Sequence, residues 1–287
     1  MADALTVAIG TYPHTKALKE GRIRSDLFSM EFAEISPINR AFAPMVRELR
    51  FDVSEMAIAT YLQAKAFGVG ITLLPIAVAA RFQQSALLYR ADSPMRGPGD
   101  LKGRRVGVRS YSQTTGLWLR GILADDYGVR PDDVRWITFE GAHVAEFVDP
   151  PFVERAEAGK ELLAMLRDGE VDAVIVGNDL PDDPNLRTLF PDPAASAEAF
   201  WMRYRFVPIN HMIVVKTSLL KARPEIGEEL FCLFSEAKAQ SSAPSSGRDT
   251  APVGREQVEP AVKMAIRLAQ EQHLLPRPVT WEEIWTT

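Results

Sequence analysis

The chain is poor in the groups that several common chemistries need. A single cysteine, Cys232, excludes an internal disulfide and a thiolate metal cluster. It lies in FCLF within an apolar helical pattern, where a buried packing role is expected. The four histidines, His14, His143, His211 and His273, form no close ligand pair, so no metal site is expected unless His14, His211 and Glu55 converge in space. No GxGxxG or Walker-type loop is present to hold a nucleotide. No segment approaches ~20 uninterrupted apolar residues, so no transmembrane helix is expected. The formal net charge of −5 supplies no dominant basic field, which argues against nucleic acid as a partner. The start, MADALTVAIGTYPH, has no basic lead and only a short apolar run. It reads as a first strand, and a cytoplasmic location is expected.

What is present fits a globular α/β protein. Hydrophobic residues at 46% and charged residues at 25% of 287 are ordinary values, and the length suits one large domain or two lobes. Strand patterns at 5–9, 28–35, 51–54, 71–78 and 85–89 alternate with helical ones at 16–21, 38–49 and 56–66. The segment SPMRGPGDLKG breaks the pattern with proline and glycine, as a crossover between lobes would. A second alternating set follows: strand 105–108, helix 113–126, strand 134–138, helix 155–168, strand 171–176 and helix 191–205. The apolar strand 208–216 then carries the chain back, followed by helices 225–240 and 257–272. This predicts one lobe from 1–92 plus 207–287 and another from 93–206. Residues 241–254, SSAPSSGRDTAPVG, read as an exposed loop or linker.

The stretch DLKGRRVGVRSYSQTTGLWLRGIL, from Asp100 to Leu123, has the order strand, hydroxyl- and amide-rich turn, helix. Such a turn aims the first N–H groups of a helix out of the carboxyl end of a strand, and the positive end of the helix dipole converges there. A small anion is therefore expected on Ser110, Ser112, Gln113, Thr114 and Thr115.

The blocks LTVAIGTYPHTKALKEGRI, FDVSEMAIATYL, DLKGRRVGV…TTGLWLRGIL, LFPD and PINHMIVV together resemble 4,5-dihydroxyphthalate decarboxylase and its relatives, over most of the chain to about residue 240. The FDVSEM block and the strand with His211 are the more specific of these. The resemblance implies a bilobal type 2 periplasmic-binding-protein-like fold, with two mixed-sheet lobes joined by crossover strands and a ligand between them. It also implies decarboxylation of a hydroxylated aromatic dicarboxylate, with a small aromatic carboxylate as partner and no organic cofactor. A homo-oligomer is compatible with it.

That chemistry needs donors for the carboxylates, a proton for the ring carbon and dry surroundings for the leaving group. His211, mid-strand in PINHMIVV, is the candidate proton donor, because imidazole titrates near ~6.5. Glu55, with Ser54 at a strand-to-helix junction, can hold a proton, bond a phenolic hydroxyl or orient His211. A helix-start carboxylate is the plainer account of Glu55, and a hydrogen-bonded core residue that of His211. Arg81 and Arg109 are candidate carboxylate clamps. Arg120, inside the helix, fits a surface or structural ion pair equally well. Tyr12 and His14 follow the first strand and are placed to reach the same ligand, although a histidine in such a turn is commonly just exposed. The alternative is a solute-binding protein for a small organic anion, serving a transporter or a cytosolic sensor without turnover.

Overall fold

The computed structural model describes residues 3–177, 180–241 and 247–287. The chain opens with β1 (Asp3–Ala8), α1 (Lys16–Lys19), β2 (Phe28–Phe32), α2 (Phe42–Glu48), β3 (Val53–Ala57), α3 (Ile58–Ala66) and β4 (Ile71–Ala80). Next come β5 (Leu87–Arg90), β6 (Arg105–Val108), α4 (Thr114–Tyr127), β7 (Arg135–Thr138), β8 (Val153–Arg155), α5 (Leu162–Arg167), β9 (Ala173–Ile175), β10 (Leu186–Thr188) and α6 (Pro193–Tyr204). It closes with β11 (Ile209–Lys216), α7 (Thr217–Ala222), α8 (Glu225–Ala239) and α9 (Arg255–Glu271). Among the described residues no helix is long and apolar enough to cross a membrane.

Two compact units result, each discontinuous in sequence. The first comprises Met1–Arg81, Ile209–Ile266 and Leu275–Thr287, and the second Phe82–Pro208 and Arg267–Leu274. The first unit holds a five-stranded sheet in the order β2-β1-β3-β11-β4. Strands β1, β2 and β3 are parallel, whereas β11 runs antiparallel to both β3 and β4. The carboxyl ends of β1, β3 and β4 therefore share one edge with the amino end of β11. At the other edge Asp52 ties three strands together. Its Oδ2 accepts from the backbone N–H and hydroxyl of Thr6, both at 2.8 Å, and its Oδ1 accepts from Lys216 Nζ at 2.9 Å.

The core of this unit follows from helical spacing. Ile226, Leu230, Leu233, Phe234 and Ala237 make one stripe on α8 and pack with Leu5, Val7, Val53, Ile213 and Val215. Burying each large side chain contributes ~1.5–3 kcal/mol. Cys232 falls off that stripe and is exposed, contrary to the buried role expected of it. Residues 251–253 also depart from expectation. Instead of belonging to an exposed linker they pack on β4, with Ala77 N–H donating to the Pro252 carbonyl at 2.9 Å and Val253 bridging Ile76. Residues 242–246 of that segment lie outside the described residues.

The second unit holds a six-stranded sheet in the order β10-β5-β9-β6-β7-β8. Strands β6, β7, β8 and β9 are parallel, and β5 is antiparallel to β9. Strand β5 was expected in the first lobe, but its register with β9 places it here. Residues 267–274, also expected in the first lobe, pack on α4. The expected helix at 155–168 is shorter than its composition suggests. Arg155 still pairs with Thr138 in the sheet, and Gly159 turns the chain at φ 85° before α5 begins. The end of α5 matches its punctuation, with Asp168 as the cap and Gly169 at φ 74°.

Gly121 shows how tightly α4 meets the returning segment. A β-carbon there would sit 2.5 Å from Leu268 Cδ1 and 2.6 Å from its Cδ2. Gly121→Val should therefore lower the unfolding free energy by about 1–3 kcal/mol through overpacking, read by urea titration. Unchanged stability would mean that 267–274 is not packed on α4 as described.

Candidate active site

The first unit gathers its polar residues on the edge formed by the strand carboxyl ends. β1 ends at Ala8, and the 10–15 turn that follows is fixed by Thr15, whose hydroxyl donates to the Gly10 carbonyl and accepts from Tyr12 N–H, both at 2.8 Å. Glu55 lies mid-strand in β3, since β3 continues to Ala57 and helix α3 begins only at Ile58. The expected strand-to-helix junction at Ser54 and Glu55 is thus corrected by three residues, and the helix-start account of Glu55 falls with it. On β11, His211 pairs with Ala57 and Ile213 pairs with Glu55, so His211 and Glu55 are diagonal neighbours on one face of the sheet.

These placements converge on one carboxylate. Glu55 Oε1 accepts from the Tyr12 hydroxyl at 2.7 Å and bonds His211 Nδ1 at 2.6 Å, while Oε2 accepts from Gly10 N–H at 2.8 Å. The Glu55 side chain is 0% exposed and that of His211 is 20% exposed. The bond through Nδ1 leaves Nε2 of His211 without a hydrogen bond to the described residues. Phe42 packs edge-on against the imidazole, with ring centroids 5.1 Å apart. Tyr12 stacks on His14 at 5.3 Å with nearly parallel planes, and His14 Nε2 lies 3.0 Å from the Val78 carbonyl.

The electrostatics follow from these contacts. Burial works to raise the Glu55 carboxyl, but the His211 bond and charge, the Tyr12 hydroxyl and the Gly10 N–H outweigh it and hold the carboxyl below its ordinary range. Tyr12 is pushed well above the usual phenol range by burial and by the adjacent Glu55 charge, so it stays a donor. Burial lowers His14, against the opposing pull of the Val78 carbonyl and of Glu55, which favours its neutral form.

Other sequence candidates have different surroundings. Ser54 is buried and donates to the Glu55 carbonyl at 2.8 Å, so its hydroxyl serves the strand. Arg81 directly follows β4, one residue beyond Ala80, the partner of Ile209. It is partly buried, and burial lowers its pKa. In the second unit Arg109 is in an ion pair with Glu140 at 3.7 Å. Ser110, Ser112, Thr114 and Thr115 are buried, and the Ser110 and Ser112 hydroxyls lie 3.1 Å apart. Gln113 caps α4 through its backbone position alone, and its Oε1 is buried without a hydrogen-bond partner. Gly10, Thr15 and Phe42 had no sequence signal beyond proximity to TYPH and to a helical pattern. Among the described residues no group of three or more His, Cys, Asp or Glu side chains is placed to hold a metal ion.

The architecture defines a class. The chain has the α/β fold of type 2 periplasmic binding proteins, as in the periplasmic aliphatic sulphonate binding protein of Escherichia coli, with a TM-score of 0.62, 16% identity, and coverage of 100% of this chain and 93% of that one. Residues 52–152 match the NMT1/THI5 like family. Sequence similarity is more particular. A 4,5-dihydroxyphthalate decarboxylase of Comamonas testosteroni is 27% identical over 283 residues, covering 92% of this chain and 83% of the relative. One from Pseudomonas putida is 27% identical over 212 residues, covering 69% and 81%. The chain is thus similar in sequence to 4,5-dihydroxyphthalate decarboxylases over most of its length.

The depressed Glu55 carboxyl has a consequence for acid stability. Above the ordinary carboxylate range Glu55 is ionised whether the chain is folded or not, and its native contacts contribute fully. As pH falls through that range the unfolded chain takes up the proton first, and the contribution is lost. Unfolding free energies should drop between about pH 5 and pH 3, and Glu55→Gln should flatten that drop. Parallel pH profiles for the two proteins would show that Glu55 is not held ionised by its neighbours.

Proposed function

We propose that the protein is a carboxy-lyase that releases carbon dioxide from a hydroxylated aromatic dicarboxylate resembling 4,5-dihydroxyphthalate, without an organic cofactor. The observation that carries this reading is the His211–Glu55 pair. A fully buried carboxylate grips Nδ1, and Nε2 is the ring nitrogen left for a substrate. Such a pair fixes the orientation of the ring and turns Nε2 into the position from which a proton can be delivered.

In this reading the phenolic hydroxyl para to the reacting carbon supplies electron density to the ring. Nε2–H of the His211 imidazolium delivers its proton to the ring carbon that bears the carboxylate. The bond from that carbon to the carboxylate then breaks, its electron pair restores the aromatic ring, and carbon dioxide leaves. His211 is reprotonated from solvent, so one proton is consumed for each carbon dioxide released. Tyr12, kept protonated by burial and by Glu55, holds the carboxylate against the imidazole throughout. In the second unit the 110–115 turn offers hydroxyls and a helix start suited to a carboxylate.

A second reading is favoured by the solute-binding fold itself: a receptor that binds an organic anion and leaves it unchanged. Incubation with 4,5-dihydroxyphthalate in deuterated water separates the two. The decarboxylase reading expects carbon dioxide and one deuterium on the ring of the product, whereas binding with no gas released would establish the receptor. His211→Ala should lower turnover by roughly 10²–10⁴-fold, the usual contribution of a positioned acid. Its substrate affinity should stay within about tenfold, ~1.4 kcal/mol. Undiminished turnover would remove His211 from the chemistry.

A further inference from the structure

Arg120 was compatible with an ordinary ion pair, and the structure gives it none. It lies in α4 at 1% exposure. Its Nε donates to Gln272 Oε1 and its Nη2 to the Tyr111 carbonyl, each at 2.7 Å. The guanidinium carbon sits 4.1 Å from the Tyr111 ring centroid and 5.2 Å from that of Trp136. Gln272 is itself fixed, because its Nε2 donates to the Leu117 carbonyl at 2.8 Å and its own carbonyl accepts from the Tyr111 hydroxyl at 3.0 Å. Among the described residues no carboxylate forms an ion pair with Arg120. Asp149, which acts on it from further away, is bridged to Arg155 at 3.6 Å.

Two further facts direct this charge. Nη1 of Arg120 is buried with no hydrogen-bond partner. It also lies against the first turn of α4, for a β-carbon on Gly116 would stand 2.8 Å from it. A guanidinium buried without a counter-charge is a costly group to keep, so stability does not explain it. The start of a fourteen-residue helix, whose N-cap residue Gln113 makes no side-chain capping bond, is directly adjacent. Helix dipole and buried cation therefore add at one place, where weak screening makes both effective.

We propose that Arg120 is a positioning residue for anion binding at the 110–115 turn. It holds the Tyr111 carbonyl within the turn, and its uncompensated charge raises the affinity of the α4 start for carboxylate or sulfonate oxygens. Gln272 anchors the guanidinium while leaving its charge intact. The inference deepens the proposed function by naming what makes this turn an anion site, and it rests on that reading only for the choice of a carboxylate.

The test is a titration of the full-length protein with phthalate, read from the backbone amide signals of Ser112 and Gln113 by NMR. Arg120→Met removes the charge at similar volume and should weaken binding at least tenfold. Arg120→Lys keeps the charge and should bind within about threefold of the unaltered protein. Gln272→Glu leaves the arginine in place but supplies a counter-charge at its Nε, and should also weaken binding at least tenfold. A purely structural role would not give that pattern. Equal losses in Arg120→Lys and Arg120→Met would overturn the proposal, as would full affinity in Gln272→Glu. Should Arg120→Met not fold, Gln272→Glu decides alone. Inorganic sulfate serves as a second probe, so failure of the carbon dioxide assay leaves this titration readable. If neither phthalate nor sulfate shifts these amides, the proposal falls.

Discussion

The first unit is organised around a carboxylate that has been taken out of water. Glu55 has no exposed surface, and a buried ion is tolerable only when its lone pairs are filled by donors that cannot drift away. Here those donors come from two segments far apart in sequence, the 10–15 turn and β11. Gly10 supplies a backbone N–H and Tyr12 a hydroxyl, both from the turn after β1, and His211 an imidazole from β11. The demands of one side chain thus fix the course of the chain after β1, the register of β11 on β3 and the tautomer of the histidine. Thr15 and Asp52 are best understood as supports. Thr15 closes the turn that presents Tyr12, and Asp52 locks the same strands at the opposite edge.

The two units handle buried charge in opposite ways. Glu55 is surrounded by donors, whereas Arg120 is surrounded by aromatic faces, one amide oxygen and one backbone carbonyl. The first arrangement meets its ion directly with three hydrogen-bond partners. The second leaves most of the field in place, and the neighbouring helix start points in the same electrostatic direction. Removing either charge would change the local field strongly, because both act in surroundings where water screens little.

Much of this was legible in the sequence, and the exceptions share a cause. Alternation of apolar strands with helical patterns gave the layering, and PINHMIVV marked both β11 and its histidine. The boundaries failed where local pattern is ambiguous. The run VSEMAIATYL is apolar at both strand and helix spacing, so nothing local showed that the strand continues to Ala57. ERAEAGKELL looks helical, but Arg155 is claimed by β7 and Gly159 breaks the turn. The surroundings of Arg120 were hidden for another reason. Tyr111, Trp136 and Gln272 lie 9, 16 and 152 residues away, and only the packing of 267–274 on α4 brings the last one near. Cys232 misled because FCLF is uniformly apolar, while the helix buries only the positions that fall on its stripe.

The polarity of the first unit's edge bears on whether the protein transforms its ligand. A buried carboxylate adds no attraction for an organic anion. Glu55 repels such a ligand whenever His211 is neutral, and the pair merely cancels when His211 is charged. The same arrangement is what a proton donor requires. In the proposed reaction the carboxylate orients the imidazole, and Tyr12 keeps that carboxylate from swinging away. Binding alone would be served better by an arginine or a second helix start, and the second unit has both. That an acidic group occupies the position facing His211 therefore favours turnover over simple capture.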